Sequence, residues 1–495
     1  MEDRNNLKDK VAKGVLWGGL SNGMQQLLNL VIGIFLARIL TPADYGIVGV
    51  LTVFSALAAA LQEGGFISAL TNVKNDTPLY FSSVFWFSLC IGVSFYVLLF
   101  FLAPLIARFY DMPELTHLSR FIFIGFVFSC FGIVPRAILF KNIKAKESAQ
   151  VMVISLSVAG VTGVVLALNG YAYWALAWQT VVFTFSHMAL AYIYTRWHPT
   201  LQFSMAPIRQ MLGYSSKIVV TNVFNILNNN IFAVLLGKFY SARDVGDFNQ
   251  ANKWNLMGYS LISGIMNGVA QPALAKVVDD GARQVQVFRK MLRFTAFISF
   301  PLMLGLSLTS RDFIVIAIGE KWLLSAAILQ LLCVWGAFYP VSQLFANLLL
   351  SQGRSKAFMW VTITLSVTQI CAVYFSFPYG LYRMLYVFIA INIGWTLVWY
   401  LQARRRIRLT LAGVLKDILP FLGVAAISYG CSYLLFGGIG NIYAAFFAKA
   451  AGMVAFYLVI LWVLNARILK ESIGYIREKI LKRKPERVTE AEPNN

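Results

Sequence analysis

The sequence predicts an all-α integral membrane protein of about 14 transmembrane helices. It places two pseudo-symmetric six-helix lobes around a central cavity and adds two C-terminal helices. Three observations carry this. First, 59% of the 495 residues are apolar or aromatic and only 13% are charged, with a mean hydropathy of +0.68. A soluble domain carries roughly a quarter charged residues. No polar stretch is long enough for a globular catalytic or dinucleotide-binding domain. Second, apolar runs of about 20 residues recur along the chain, the length a helix needs to span a bilayer. Third, the cations alternate between loops in the manner of a multi-pass protein.

The runs centre near Leu28, Phe54, Val93, Phe128, Val158, Val182, Phe224, Leu261, Ser299, Leu332, Leu365, Ile389, Ala426 and Ala455. Short breaks separate them, such as Leu40–Asp44, Asn169-Gly170, Pro378–Gly380 and Gly437–Gly440. The runs are too long and continuous for period-2 barrel strands. The first is not a cleavable signal, because Asn22, Gln25, Gln26 and Asn29 interrupt it and no small-residue cleavage site follows. With both termini cytoplasmic, 32 of the 42 Lys and Arg fall on cytoplasmic segments. The net charge of +21 is thereby explained without nucleic acid. Arg404-Arg405-Arg406 with Arg408 reads as a stop-transfer anchor. Beyond the last span, Leu469, Ile473, Ile476 and Ile480 recur among lysines and arginines, which predicts a basic amphipathic helix on the anionic inner leaflet. Five scattered cysteines, with no CxxC pair, read as packing residues.

A shift of 200 residues superposes the first span on the seventh. Asn22, Gln25 and Asn29 meet Asn222, Asn225 and Asn229, and Arg38, Asp44 and Gly46 meet Lys238, Asp244 and Gly246. Pro135 and Pro340 correspond at an offset of 205 and are expected to bend equivalent helices. The halves are residues 1–208 and 209–405, followed by the extra helices 406–465 and a basic tail 466–495. Six spans per half give parallel repeats, with substrate sites at their interface.

Asn22, Gln25, Gln26 and Asn29 occupy one helical face, and Asn222, Asn225 and Asn229 repeat it. Amides in hydrocarbon need partners. Such a stripe bonds a neighbouring helix or lines a hydrated cavity; its length and recurrence favour the cavity. Amides also suit uncharged sugars, which present many donors and acceptors. Arg38 and Lys238 each precede an Asp by six residues, which predicts helix-end ion pairs. Lys217, Arg120 and Lys253 have no cationic counterpart in the other half and are the candidates for holding an anion, with snorkelling to the interface as the bland alternative. Lys217 lies toward the cytoplasmic end and the other two toward the periplasmic end. Carboxylates are expected only in loops or at helix ends (Glu63, Asp111, Glu114, Asp312, Glu320), so no intramembrane ion relay is expected. No nucleophile–base pair, phosphate loop, metal cluster or cofactor motif is visible, and no enzyme is expected.

The segments Ala37–Gly46 ("ARILTPADYG"), Glu63–Phe66 with Ser83–Trp86, Asn267–Asp280 ("NGVAQPALAKVVDD"), Phe300–Leu306, Ile318–Trp322 and Asn347–Lys356 resemble the polysaccharide transporter branch of the multidrug/oligosaccharidyl-lipid/polysaccharide flippase superfamily. The likeness is to its Wzx-type flippases of the colanic acid exporter kind and spans roughly residues 10 to 400. It implies a fold like that of the multidrug extruders and a bacterial inner-membrane location. It also implies flipping of undecaprenyl-pyrophosphate-linked oligosaccharide to the periplasmic leaflet. A polysaccharide polymerase and chain-length regulator are implied as partners, beside membrane lipids. Three alternatives stay open: a multidrug/ion antiporter, a peptidoglycan lipid-precursor flippase and a membrane glycosyltransferase or polymerase.

Overall fold

The computed structural model describes residues 2–57, 70, 77–142, 144–206, 208–209, 223, 226–227, 230–405, 407, 409–466 and 468–470, with side chains from Trp17 onward except Gly18 and Asn267. Lys217, Asn222, Asn225, Asn229, Glu63 and the predicted amphipathic helix beyond Lys470 lie outside the described residues.

The described elements are helical. In chain order they are α1 (Glu2–Ile39), α2 (Pro42–Leu57), α3 (Pro78–Tyr110), α4 (Leu115–Lys141), α5 (Ala145–Leu168), α6 (Tyr173–Thr195) and α7 (Asn230–Phe239). There follow α8 (Ala242–Ala275), α9 (Gly281–Ile318), α10 (Leu323–Ser351), α11 (Ser355–Ser376), α12 (Leu381–Ala403), α13 (Leu411–Phe436) and α14 (Ile442–Val463). Among the described residues, 11 helices are long and apolar enough to cross a membrane. Of the other three predicted spans, the one near Phe54 falls on the shorter apolar helix α2 and the one near Leu261 on α8, whose mean composition is more polar, while the centre of the one near Phe224 lies outside the described residues. Two compact units result: residues 1–254, 313–332 and 356–392, and residues 255–312, 333–355 and 393–495.

In the first unit the repeat is visible as a reciprocal crossing. Thr41 caps α2 by exchanging hydrogen bonds with Asp44, and Ser241 does the same for α8 with Asp244. A Cβ on Gly46 would run into the Ala242 carbonyl, and one on Gly246 into the Pro42 carbonyl. The two helix starts therefore touch backbone to backbone at equivalent positions, and only glycine permits that approach.

Arg38 and Lys238 do sit at helix ends, but their hydrogen bonds go to carbonyls and not to the aspartates six residues on. Arg38 donates to Ala317 O (2.8 Å) and Ile316 O (2.6 Å) at the end of α9. Lys238 donates to Phe109 O (2.7 Å) at the end of α3. Asp44 and Asp244 are occupied as caps, and a helix C-terminus offers unfilled carbonyls and negative dipole to a cation. The return contacts are Lys321 Nζ to Arg38 O (2.8 Å) and Trp322 Nε1 to Ala37 O (2.9 Å).

Prolines inside helices leave a second kind of orphan carbonyl, four residues back. Three of these are filled from another helix. Phe100 O, opposite Pro104, accepts from Arg120 Nε (3.3 Å). Phe131 O, opposite Pro135, accepts from the Tyr192 hydroxyl (3.1 Å). In the second unit, Phe297 O, opposite Pro301, accepts from the Tyr457 hydroxyl (2.9 Å).

The carboxylate expectation needs correction. Asp312 lies inside α9 and pairs with Lys449 of α14 at 2.7 Å. Asp417 of α13 is buried and holds Arg289 at 2.6 Å, with Arg293 at 3.7 Å. Asp247 of α8 is fully buried, and its Oδ1 accepts from Ser325 N and Oγ at the start of α10. Each sits within about two turns of a helix end. A sequence scan discounts such positions because it sees the nearby loop and not the partner that covers the charge.

Two expected outcomes follow from these contacts. Gly46→Ala and Gly246→Ala each lower the apparent Tm of the detergent-purified protein, because backbone cannot yield as a side chain would. Gly423→Ala, on α13 with open space around its Cα, leaves it unchanged; equal behaviour of all three would refute the crossing. Arg120→Leu destabilises by about 1–3 kcal/mol through the unfilled Phe100 carbonyl. Adding Pro104→Ala supplies the missing N–H and recovers most of the loss in the same unfolding measurement.

Candidate functional site

The amide residues of α1 are placed by the helical repeat alone. Leu20, Met24, Leu27, Val31 and Phe35 form an exposed apolar stripe. Asn22, Gln25, Gln26 and Asn29 lie on the opposite face, at helical spacing. Asn22 and Gln26 are exposed, and Gln25 and Asn29 half-exposed. None of the four hydrogen-bonds another helix among the described residues. The apolar face suits lipid; the amide face presents eight potential donors and acceptors to something polar.

Lys253 joins this face from α8. Its Nζ lies over Gly33, one turn beyond Asn29, where an added Cβ would come within 2.5 Å of the ammonium. Gly33 thus provides the space in which Lys253 crosses α1, and the ammonium ends the amide row. Among the described residues Lys253 has no carboxylate or hydrogen-bond partner. Its repeat counterpart is Val53, which is buried, and Gly33 corresponds to Ala233. The cation and its slot are therefore a feature of one side of the repeat only.

Arg120 is not brought to this row. Its guanidinium bonds the Phe100 carbonyl and stacks 4.2 Å from the Phe100 ring centroid, so its charge is spent on the proline gap of α3. Lys217, Asn222, Asn225 and Asn229 lie outside the described residues, and the second amide stripe stays an expectation. His187 stacks on Phe183 with centroids 5.6 Å apart. Gly33 is the residue of this row that sequence reasoning missed; its position one turn along the amide face is the signal that could have found it.

An open row of neutral amides ended by one unpaired cation can bind a solute that is mostly uncharged and hydroxyl-rich but carries an anionic group. The row contains no nucleophile paired with a base.

The chain is 27% identical over 354 residues to the lipopolysaccharide biosynthesis protein WzxC of Escherichia coli (strain K12), covering 70% of this chain and 71% of that one. Among solved structures, the lipid II flippase MurJ in an inward closed conformation aligns over 92% of this chain and 100% of its own, with TM-score 0.76 and 16% identity. An inward-facing multidrug resistance MATE transporter of the MOP superfamily aligns over 78% and 94%, with TM-score 0.64 and 16% identity. At these identities the structural likeness is one of fold, and it is the fold of multi-pass membrane transporters. The chain matches the polysaccharide biosynthesis protein family over residues 35–327, more than half its length, and belongs to that family.

Proposed function

We propose that the protein is a flippase. Its cargo is an undecaprenyl-pyrophosphate-linked oligosaccharide, the repeat unit of an O-antigen, capsule or exopolysaccharide, which it moves across the bacterial inner membrane by alternating access. The observation that carries this is the amide row of α1 ending beneath the Lys253 ammonium. A lipid-linked sugar pyrophosphate must take a charged, strongly hydrated head through about 30 Å of hydrocarbon. Leaving water uncompensated costs several kcal/mol per ion. Lys253 supplies a counter-charge for phosphate, while Asn22, Gln25, Gln26 and Asn29 replace water around the sugar. Family membership and the WzxC relative support the cargo class. Both termini lie in the cytoplasm on this reading, and a polymerase and chain-length regulator are the partners that would receive the product.

A drug/cation antiporter would want an unpaired carboxylate beside its cargo. Asp312 and Asp417 are held by cations, and Asp247 by Ser325 through Oδ1 with Arg243 4.0 Å from Oδ2, which favours the anionic cargo. A peptidoglycan precursor shares the same chemistry and is the nearer rival.

In cells that depend on this protein for surface glycan, Lys253→Gln is expected to cut export about tenfold or more, the value of one charge-assisted hydrogen bond to phosphate. Membrane levels and thermal stability stay normal. Undiminished export at normal protein levels would sink the cationic site. Rescue of a lipid II flippase deficiency, with no effect on glycan export, would transfer the cargo to the peptidoglycan precursor.

A further inference from the structure

A cavity of about 480 Å³ opens where α3 begins and α4 and α6 end, on the side that the cation distribution assigns to the cytoplasm. It shares no residue with the amide row of α1. Its wall carries Lys141, Asn142, Arg196 and His198 beside the rings of Phe81 and Trp197. Lys141 is half-buried, with its Nζ 5.8 Å from the Phe81 centroid, while Arg196 and His198 are exposed. The first turn of α3 edges the cavity at Pro78, and its N-cap Thr77 makes no side-chain cap bond. Positive charge and aromatic rings thus meet in one concave place.

The walls are fixed. Trp197 stands edge-on to Phe85 (centroids 5.6 Å) and beside Tyr192 (6.2 Å). The following segment is tied to α3 by Thr200 N to Ser82 Oγ (3.0 Å), Ser204 N to Ser83 Oγ (2.9 Å) and Trp86 Nε1 to Thr200 O (2.8 Å). Arg196 adopts φ +51° just past α6, a conformation where glycine is usual and a side chain is strained. Strain kept in the backbone while a cation is aimed at a cavity points to a use for that cation.

We infer that this cavity holds the phosphate headgroup of an anionic glycerophospholipid from the cytoplasmic leaflet. That leaflet is the anionic one, and Lys and Arg at its surface are attracted to it. Trp197 and Phe81 meet the glycerol and acyl boundary, where amphipathic rings settle. Lys141 and Arg196 flank the phosphate. The site anchors the segment 196–204 that leaves the sixth helix, independently of the cargo.

The test uses the purified full-length protein in detergent, titrated with phosphatidylglycerol, phosphatidylcholine or inorganic phosphate and read by native mass spectrometry. One phosphatidylglycerol is expected to be held more tightly than phosphatidylcholine. The pair Lys141→Gln with Arg196→Gly is expected to weaken it about tenfold or more. The pair Lys356→Gln with Lys416→Gln, which removes two cations elsewhere on the same side, leaves it unchanged. Arg196→Gly alone relaxes the backbone, so it should weaken binding without lowering the Tm, and it decides the matter should the double variant unfold. Equal retention by the wild type and the cavity variants would overturn the proposal. So would phosphatidylcholine held as tightly as phosphatidylglycerol, or inorganic phosphate bound where phosphatidylglycerol is not.

Discussion

Hydrocarbon offers no hydrogen bonds, so a carbonyl left open there by a helix end or a proline is costly unless another part of the chain meets it. That constraint organises the first unit. The ends of α3 and α9 are capped by Lys238 and Arg38, and the end of α1 by Lys321 and Trp322. The proline gaps of α3 and α4 are filled by Arg120 and Tyr192. The caps link equivalent places in the two halves of the repeat, with the reciprocal glycine crossing of α2 and α8 between them.

The same constraint sorts the cations by task. Arg38, Lys238, Arg120 and Lys321 are committed to carbonyls. In the second unit Arg289, Arg293 and Lys449 are committed to Asp417 and Asp312, which ties α13 and α14 to α9. A buried pair of this kind adds little net stability, yet breaking it strands a charge, so it fixes which helices stay together. Lys253 stands apart. It is half-buried, it has no such duty among the described residues, and a glycine has been placed to admit it. An intramembrane cation free of structural work is the one available to a ligand.

The fold supplies this at small cost in sequence. One Gly in place of the Ala at the equivalent position of the repeat, and one Lys in place of Val, turn a symmetric helix crossing into a polar row with a charged end.

Much of this was legible in the sequence. Apolar run length gave the helical membrane class, because spanning hydrocarbon dictates about 20 apolar residues whatever the neighbours are. The shift of 200 residues gave the repeat, and the amide face of α1 followed from helical periodicity, since both depend only on order along the chain. Partners were not legible. In sequence Arg38 reads as a partner of Asp44, Arg120 and Lys253 read alike as cations free for an anion, and Asp312 looks like a loop residue. Their tasks are set by what lies across the helix packing: the α9 carbonyls for Arg38, the gap behind Pro104 for Arg120, the space above Gly33 for Lys253 and the ammonium of Lys449 for Asp312. These contacts join residues far apart in the chain, so periodicity carries no trace of them. Tertiary structure alone decided which charge holds the fold and which is left without a partner among the described residues.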